Sequence, residues 1–204
     1  MIAGERISYN GYEVCLFPLD YLYCTQGNGA GTYSHCCNYA TDWIGTYEEY
    51  PYYAPFSCHL VGTYPDGNGR AYTSNDKVWT PSGLTYVTIL FYHDNNPPTQ
   101  TSFNQGDLIG HTGRFGFALG DHVHLEQSNA QNSSLEASGM ICDSGVCYKL
   151  SDGMQPYEIY YLSGNETIVQ TLSMTFITWD KPIPSKKFKW WMSRKKLERR
   201  KYGL

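Results

Sequence analysis

The segment Gly120-Asp121-His122-Val123-His124-Leu125-Glu126 sets two histidines two residues apart among apolar, β-branched neighbours. In an extended strand, residues i and i+2 leave the backbone on the same face. The spacing therefore predicts a strand that delivers His122 and His124 to one site, with Cα atoms roughly 7 Å apart. One imidazole can hold a metal ion while its neighbour reaches a substrate bound there. A pair of surface histidines on an edge strand is the plainer alternative. The remaining histidines and aspartates weigh toward the metal.

Upstream, Tyr33-Ser34-His35-Cys36-Cys37-Asn38-Tyr39-Ala40-Thr41-Asp42-Trp43 opens from a loop and is expected to end in a strand. A loop can fold His35 and Asp42 back onto one ion. Together they make a nitrogen/oxygen ligand set that suits Zn²⁺. Taken alone, each also fits an exposed histidine and an ordinary turn aspartate. The glycine-rich stretch 27–31 is not a phosphate cradle, because no Lys-Ser/Thr and no helix start follow it. Residues 85–93 form the strongest expected strand, almost continuously apolar and aromatic, with His93 at its C-terminal end. Such a strand delivers that histidine to a cleft, unless it is merely solvated beside Asp94 and the Pro97-Pro98 turn. His59 and His111 receive no role.

Composition agrees with strands and turns. The 204 residues include 19 Tyr, 5 Trp, 20 Gly and 10 Pro, with only 17% charged. The length suits one domain plus an appendage. Further strands are expected over 6–9, 12–17, within 52–61 and over 167–179, and an ordered segment over 155–162. Residues 64–82 read as a loop-rich excursion outside the core, and 128–147 as polar loop. Seven cysteines cannot all pair within one chain. Cys142 and Cys147 flank a turn-like spacer and could close a small loop, but reduced thiols are the default. No CxxC pair occurs, which leaves a four-thiolate zinc ribbon unsupported.

Charge is uneven. Residues 186–201 hold nine Lys or Arg and one Glu, about +8, so the rest carries about −12 of the net −4. Pro182-Ile183-Pro184 forms a stiff linker into this segment, a candidate helix with Phe188, Trp191 and Met192 along one side. Trp190 and Trp191 beside lysines point to an interface, with another protein of a particle or with anionic wall polymers or lipid headgroups. Nucleic-acid binding needs only the same charges, but no nucleic-acid module accompanies them. The N-terminus shows no basic region followed by an apolar run, so no secretory signal is expected. No run of 18 apolar residues offers a membrane span.

Taken in order, His35…Asp42, the strand ending in His93, Gly106-Asp107-Leu108-Ile109-Gly110 and the His122/His124 segment resemble the lysostaphin/LytM-type zinc metallopeptidases, family M23. The resemblance spans residues 24–163, and its last motif is the most specific. Those proteins cut peptide cross-links or stems of bacterial peptidoglycan. The resemblance implies a mainly β fold of antiparallel sheets forming an open groove. It implies one Zn²⁺ per chain on His35, Asp42 and His124, with His93 and His122 as catalytic histidines that do not bind the metal. The family more often places three residues between its first His and Asp; six stand here, with Cys36 or Cys37 as alternative ligands to Asp42. The longer spacing resembles the M23 domains of tail-tip lysins of small tailed bacteriophages.

The expected organisation is a peptidase domain over 1–180 and a basic, aromatic tail over 181–204. The expected function is a zinc-dependent peptidoglycan endopeptidase of the phage virion, acting at the tail tip with other tail proteins as partners. No separate wall-binding module is visible, which favours that role over a phage endolysin. A catalytically inactive M23-like structural or wall-binding module is the alternative from another class. A different zinc hydrolase is disfavoured because no HExxH occurs.

Overall fold

The computed structural model describes residues 1–28, 34–35, 38–64, 67–138 and 147–164, and the backbone of Thr167–Val169. An eight-stranded sheet organises them. In chain order its strands are β1 (Tyr21–Gln26), β2 (Thr41–Ile44), β3 (Cys58–Thr63), β4 (Arg70–Ser74), β5 (Thr88–Tyr92), β6 (Ser102–Phe103), β7 (Val123–Ser128) and β8 (Thr167–Val169). Across the sheet they run β6-β3-β4-β5-β7-β2-β1-β8. All neighbours pair antiparallel except β8, which runs parallel to β1. The expectation of a mainly β fold built from antiparallel sheets holds. Among the described residues the one helix is the single turn Pro156–Ile159.

β5 shows why the sheet lies where it does. All five of its residues are buried, because each face has its own core. Ile89 and Phe91 join the main cluster with Leu22, Trp43, Tyr72, Val123 and Leu125. Leu90 and Tyr92 belong to a smaller cluster with Tyr64, Ala71 and Leu150. A strand covered on both faces reads as a continuous apolar run. It is shorter than the expected 85–93: Thr85 pairs with Val78 in a separate ribbon, and His93 lies just beyond the strand's end.

Alternation pins β2. Thr41 and Trp43 are buried, and the Trp43 ring meets Phe17 edge to face at 4.8 Å. The Trp43 indole N–H donates to Thr41 Oγ1 at 2.7 Å, so the ring is buried with its polar atom paired. Truncating such a side chain to alanine costs about 3–5 kcal/mol. Asp42, between them, projects to the opposite face. A slip of one residue would drive its carboxylate into this core, so the register is strongly fixed.

Several expectations need correction. Residues 64–82 are not an excursion outside the core. Arg70–Ser74 forms β4, an interior strand whose last four residues are buried. Its small and hydroxylated residues give no apolar run, and the hydroxyls of Thr73 and Ser74 are paired within the fold. Thr88 Oγ1 donates to Thr73 Oγ1 at 3.2 Å, and Thr73 Oγ1 to the Val87 carbonyl at 3.3 Å. The strands expected over 6–9 and 12–17 contract to a ribbon of Ser8–Tyr9 with Tyr12–Glu13. Asn10 and Gly11 close it at φ of 50° and 83°, the left-handed pair that a two-residue hairpin favours.

The polar stretch 128–147 contains a strand, Leu135–Ala137, paired with Tyr148–Leu150. The segment 155–162 is ordered, as expected, and holds the helical turn. Pro51–Tyr53 pairs with Leu108–His111. Cys147 is disulfide-bonded, against the expectation of reduced thiols, whereas Cys15, Cys24 and Cys58 are free and buried. Cys36, Cys37 and Cys142 lie outside the described residues, as do 170–204 with the basic tail. No described helix is long and apolar enough to cross a membrane.

Candidate metal centre

The sheet brings five side chains to one place. β7 pairs with β2 so that His124 stands directly opposite Asp42, while Val123 and Leu125 turn into the core beside Trp43. Two residues before His124, His122 exchanges two backbone hydrogen bonds with Gly113 at 3.0 Å each. β5 pairs with β7 on its other side, Tyr92 opposite His124, and the next residue is His93. His35 enters from the segment before β2, and its side chain is 1% exposed.

Asp42 Oδ1 is the point of convergence. His124 Nδ1 lies 3.2 Å from it, His35 Nε2 3.4 Å and His122 Nε2 3.7 Å. His93 stacks at a tilt on His122 with ring centroids 4.5 Å apart. Asp42 Oδ1 is buried and accepts no hydrogen bond. An orphaned buried carboxylate oxygen is costly. Three imidazole nitrogens converge on it at 3.2–3.7 Å, an arrangement that a cation seated among them would complete. His35, Asp42 and His124 each offer one ligand atom, all within 4.8 Å of one another, and could hold a metal ion. Two nitrogens and one oxygen are a donor set that suits Zn²⁺ and leaves a fourth tetrahedral position open.

Main-chain carbonyls set the tautomers, because a carbonyl can only accept. Nδ1–H of His35 donates to Gly27 O at 3.0 Å, that of His122 to Gly120 O at 2.8 Å, and that of His93 to Phe115 O at 2.8 Å. Each neutral ring therefore keeps its lone pair on Nε2. His124 is turned the other way. Its Nε2 lies 3.1 Å from Glu126 Oε1, which leaves Nδ1 for the Asp42 side.

Burial and mutual charge tune these groups. Burial, then the neighbouring His124, lowers the His35 pKa to about 4. Burial, then His122 and His124, lowers that of His93 to about 3. Burial opposes the charge on Asp42, but His124, His35 and His122 outweigh it and hold the carboxyl at about 2. Burial also opposes the charge on His124, yet the Asp42 and Glu126 carboxylates raise its pKa to about 9.

All five residues singled out in the sequence are thus brought together: His35, Asp42, His93, His122 and His124. His59 and His111 are not among them. His59 sits on β3 with Nδ1 2.7 Å from Asn75 Oδ1, and His111 bonds through its backbone N–H to Asp94. Two supporting residues escaped the sequence reading. Glu126 is 1% exposed and fully engaged, with Oε1 near His124 and Asn38 and with Oε2 accepting the Leu150 N–H at 2.7 Å. The period-2 argument that pairs His122 with His124 also places Glu126 on their face, so a signal was present. Asn68, whose Oδ1 accepts the His93 N–H at 2.9 Å, carried none.

No family model matches the chain. Over 118 residues, 56% of this chain, it is 36% identical to Morphogenesis protein 1 of Bacillus phage B103, and the match spans 32% of that protein's length. Among solved structures it is similar to a zinc-containing peptidase from Vibrio cholerae, at 18% identity and a TM-score of 0.43, over 57% of this chain and 39% of that one. It is also similar to the catalytic domain of the antimicrobial peptidase lysostaphin from Staphylococcus simulans, at 22% identity and a TM-score of 0.38, over 54% of this chain and 82% of that one.

Proposed function

We propose that this chain is a zinc-dependent endopeptidase that hydrolyses a peptide bond of bacterial peptidoglycan. The observation that carries the reading is the buried, unbonded Oδ1 of Asp42 with His35, His122 and His124 ranged around it. His35 Nε2, Asp42 and His124 Nδ1 would hold the ion. Zinc so held supplies an activated water at neutral pH and polarises the scissile carbonyl.

The protein's own groups have two further tasks. The oxyanion of the tetrahedral intermediate needs a hydrogen-bond donor, and the leaving amine needs a proton. Nδ1–H of each ring is tied to a carbonyl, so Nε2 of His93 or His122 offers a lone pair that would first take the proton of the attacking water; the ring so charged can donate to the oxyanion and pass that proton to the leaving amine. The buried setting of His93 strengthens any charge interaction it makes. Substitution of either ring by alanine is expected to leave zinc in place and to cost about 10²–10⁴ in turnover.

We further propose a peptidase domain over 1–180 and a docking tail over 181–204, on a protein carried at the tip of a phage tail and used during genome delivery. Identity to a phage morphogenesis protein supports a particle-associated role over a lysis role. The nine basic residues of 186–201 would seat the tail on other tail proteins or on anionic wall polymers.

The deciding experiment measures zinc content of the wild type and of Asp42→Ala, with mass spectrometry of digested peptidoglycan. The expected result is one zinc per chain, lost in the variant, and new peptide termini from the wild type alone. Absence of both zinc and cleavage across several wall types would replace this reading with that of an inactive binding module.

A further inference from the structure

We propose that Asn68 is a positioning residue that fixes His93 for turnover. The inference rests on the reading of His93 as a catalytic group. His93 has φ of 80°, in the left-handed region that residues other than glycine rarely enter. Such a conformation persists only where the surroundings over-determine it.

Three hydrogen bonds do so here. The His93 N–H donates to Asn68 Oδ1 at 2.9 Å, its carbonyl accepts the Phe115 N–H at 3.1 Å, and its Nδ1–H donates to Phe115 O at 2.8 Å. Asn68 also supports the other side of this clamp. Gly116 stands at φ of 77°, and a Cβ there would lie 2.0 Å from Asn68 Nδ2. One buried amide, 6% exposed, is thus wedged between the main chain of His93 and the turn whose carbonyl holds the His93 ring. Without it, a buried N–H loses its partner and the left-handed residue can relax. The ring would then turn about its own Cα, and Nε2 would leave its place beside His122. A displacement of about 1 Å at a reacting group costs roughly 100-fold in rate.

The test uses the zinc-loaded protein and a soluble muropeptide. Asn68→Ala is expected to keep wild-type zinc content and KM while kcat falls about 10–100-fold. In a His93→Ala background the same substitution is expected to change kcat no further. Additive losses in the two variants overturn the proposal, as does a KM effect without a kcat effect. Asn68→Asp keeps the accepting oxygen and the shape, and is expected to retain most of the turnover. A loss of about tenfold or more in that variant overturns the proposal even if Asn68→Ala does not fold. Nitrogen-15 spectra of the His93 ring separate this inference from the endopeptidase reading. The wild type is expected to show one fixed Nδ1–H tautomer, and Asn68→Ala a mixture. A wild type inert on every substrate but showing that contrast sinks the enzymatic reading and leaves the positioning intact. Identical spectra sink the positioning itself.

Discussion

His124 and Asp42 face each other across adjacent antiparallel strands, and Nδ1 of one lies 3.2 Å from Oδ1 of the other. The pair is a product of register. Thr41 and Trp43 lock β2 into the core on one side, Val123 and Leu125 lock β7, and the two polar side chains are left opposed on the other face. Asp42→Asn keeps the shape of the side chain and removes its charge, so the core is untouched. The expected outcome is a folded protein whose zinc affinity falls by more than about 100-fold, beyond the usual cost of losing a supporting residue. Competition against a chromophoric chelator measures it, and an unchanged dissociation constant would remove Asp42 from the site.

Glu126 tests the support behind the site. Its Oε1 holds His124 Nε2 at 3.1 Å while Oε2 takes the Leu150 N–H. A carboxylate behind a metal-binding imidazole fixes its tautomer and raises its basicity. Glu126→Gln retains an acceptor but no charge, and is expected to weaken zinc binding about 10–100-fold with the fold preserved. Wild-type affinity in a folded Glu126→Gln would show that the charge behind His124 is immaterial.

The metal-free protein should have a stability maximum close to neutrality. His35 and His93 have folded-state pKa values of about 4 and about 3, below the ordinary 6.5. As pH falls below 6.5 the unfolded chain binds protons that the folded chain does not, so stability drops. His124 works in the opposite sense. Its folded value of about 9 gives stability that is complete below pH 6.5 and is lost as pH rises toward 9. Asp42, held at about 2, adds stability above pH 3.8 that disappears only in stronger acid. In chelator, the Tm at pH 6.5 is expected to exceed those at pH 4.5 and pH 8.5. Saturating zinc should flatten the alkaline side, because metal replaces the proton on His124. A Tm still rising from pH 6.5 to 8.5 in chelator would contradict the assignment.

What could be read from the sequence follows from range. The period-2 spacing of His122 and His124 is local; β7 carries His124, and His122 stands just before its first residue, bridged to Gly113. β5 was visible because burial on both faces leaves an unbroken apolar run. β4 was not, because only Ala71 and Tyr72 of Arg-Ala-Tyr-Thr-Ser enter the apolar clusters, while Thr73 and Ser74 are buried with their hydroxyls paired to other segments. Asn68 was invisible for the same reason: it lies 25 positions from the residue it supports, and only the path of the chain unites them. His35 and Asp42 stand between these cases. Their residue types suggested a shared ion, but the fold alone determines that His35 turns back onto β2.

Two glycines near the site separate crowding from mere proximity. A Cβ on Gly113 would stand 2.1 Å from the His93 carbonyl oxygen and 2.8 Å from the Asn95 backbone nitrogen. Both are main-chain atoms, so neither can swing aside as a flexible side chain would. Gly113 also exchanges its two backbone hydrogen bonds with His122, and any shift of this segment moves both catalytic candidates. Gly113→Ala is expected to cost about 1–3 kcal/mol through overpacking. For a chain of this size that lowers Tm by about 2–12 °C. Turnover should fall while bound zinc is retained, since His35, Asp42 and His124 lie on other connections. Gly120 is the control. It also adjoins His122, accepting the Nδ1–H through its carbonyl, yet a Cβ there meets nothing within 4 Å. Gly120→Ala is expected to stay within about 0.5 kcal/mol of the wild type. Thermal melts and zinc analysis of the two variants side by side decide the matter: equal stability and turnover in both would mean that the backbone between His93 and His122 is not close-packed.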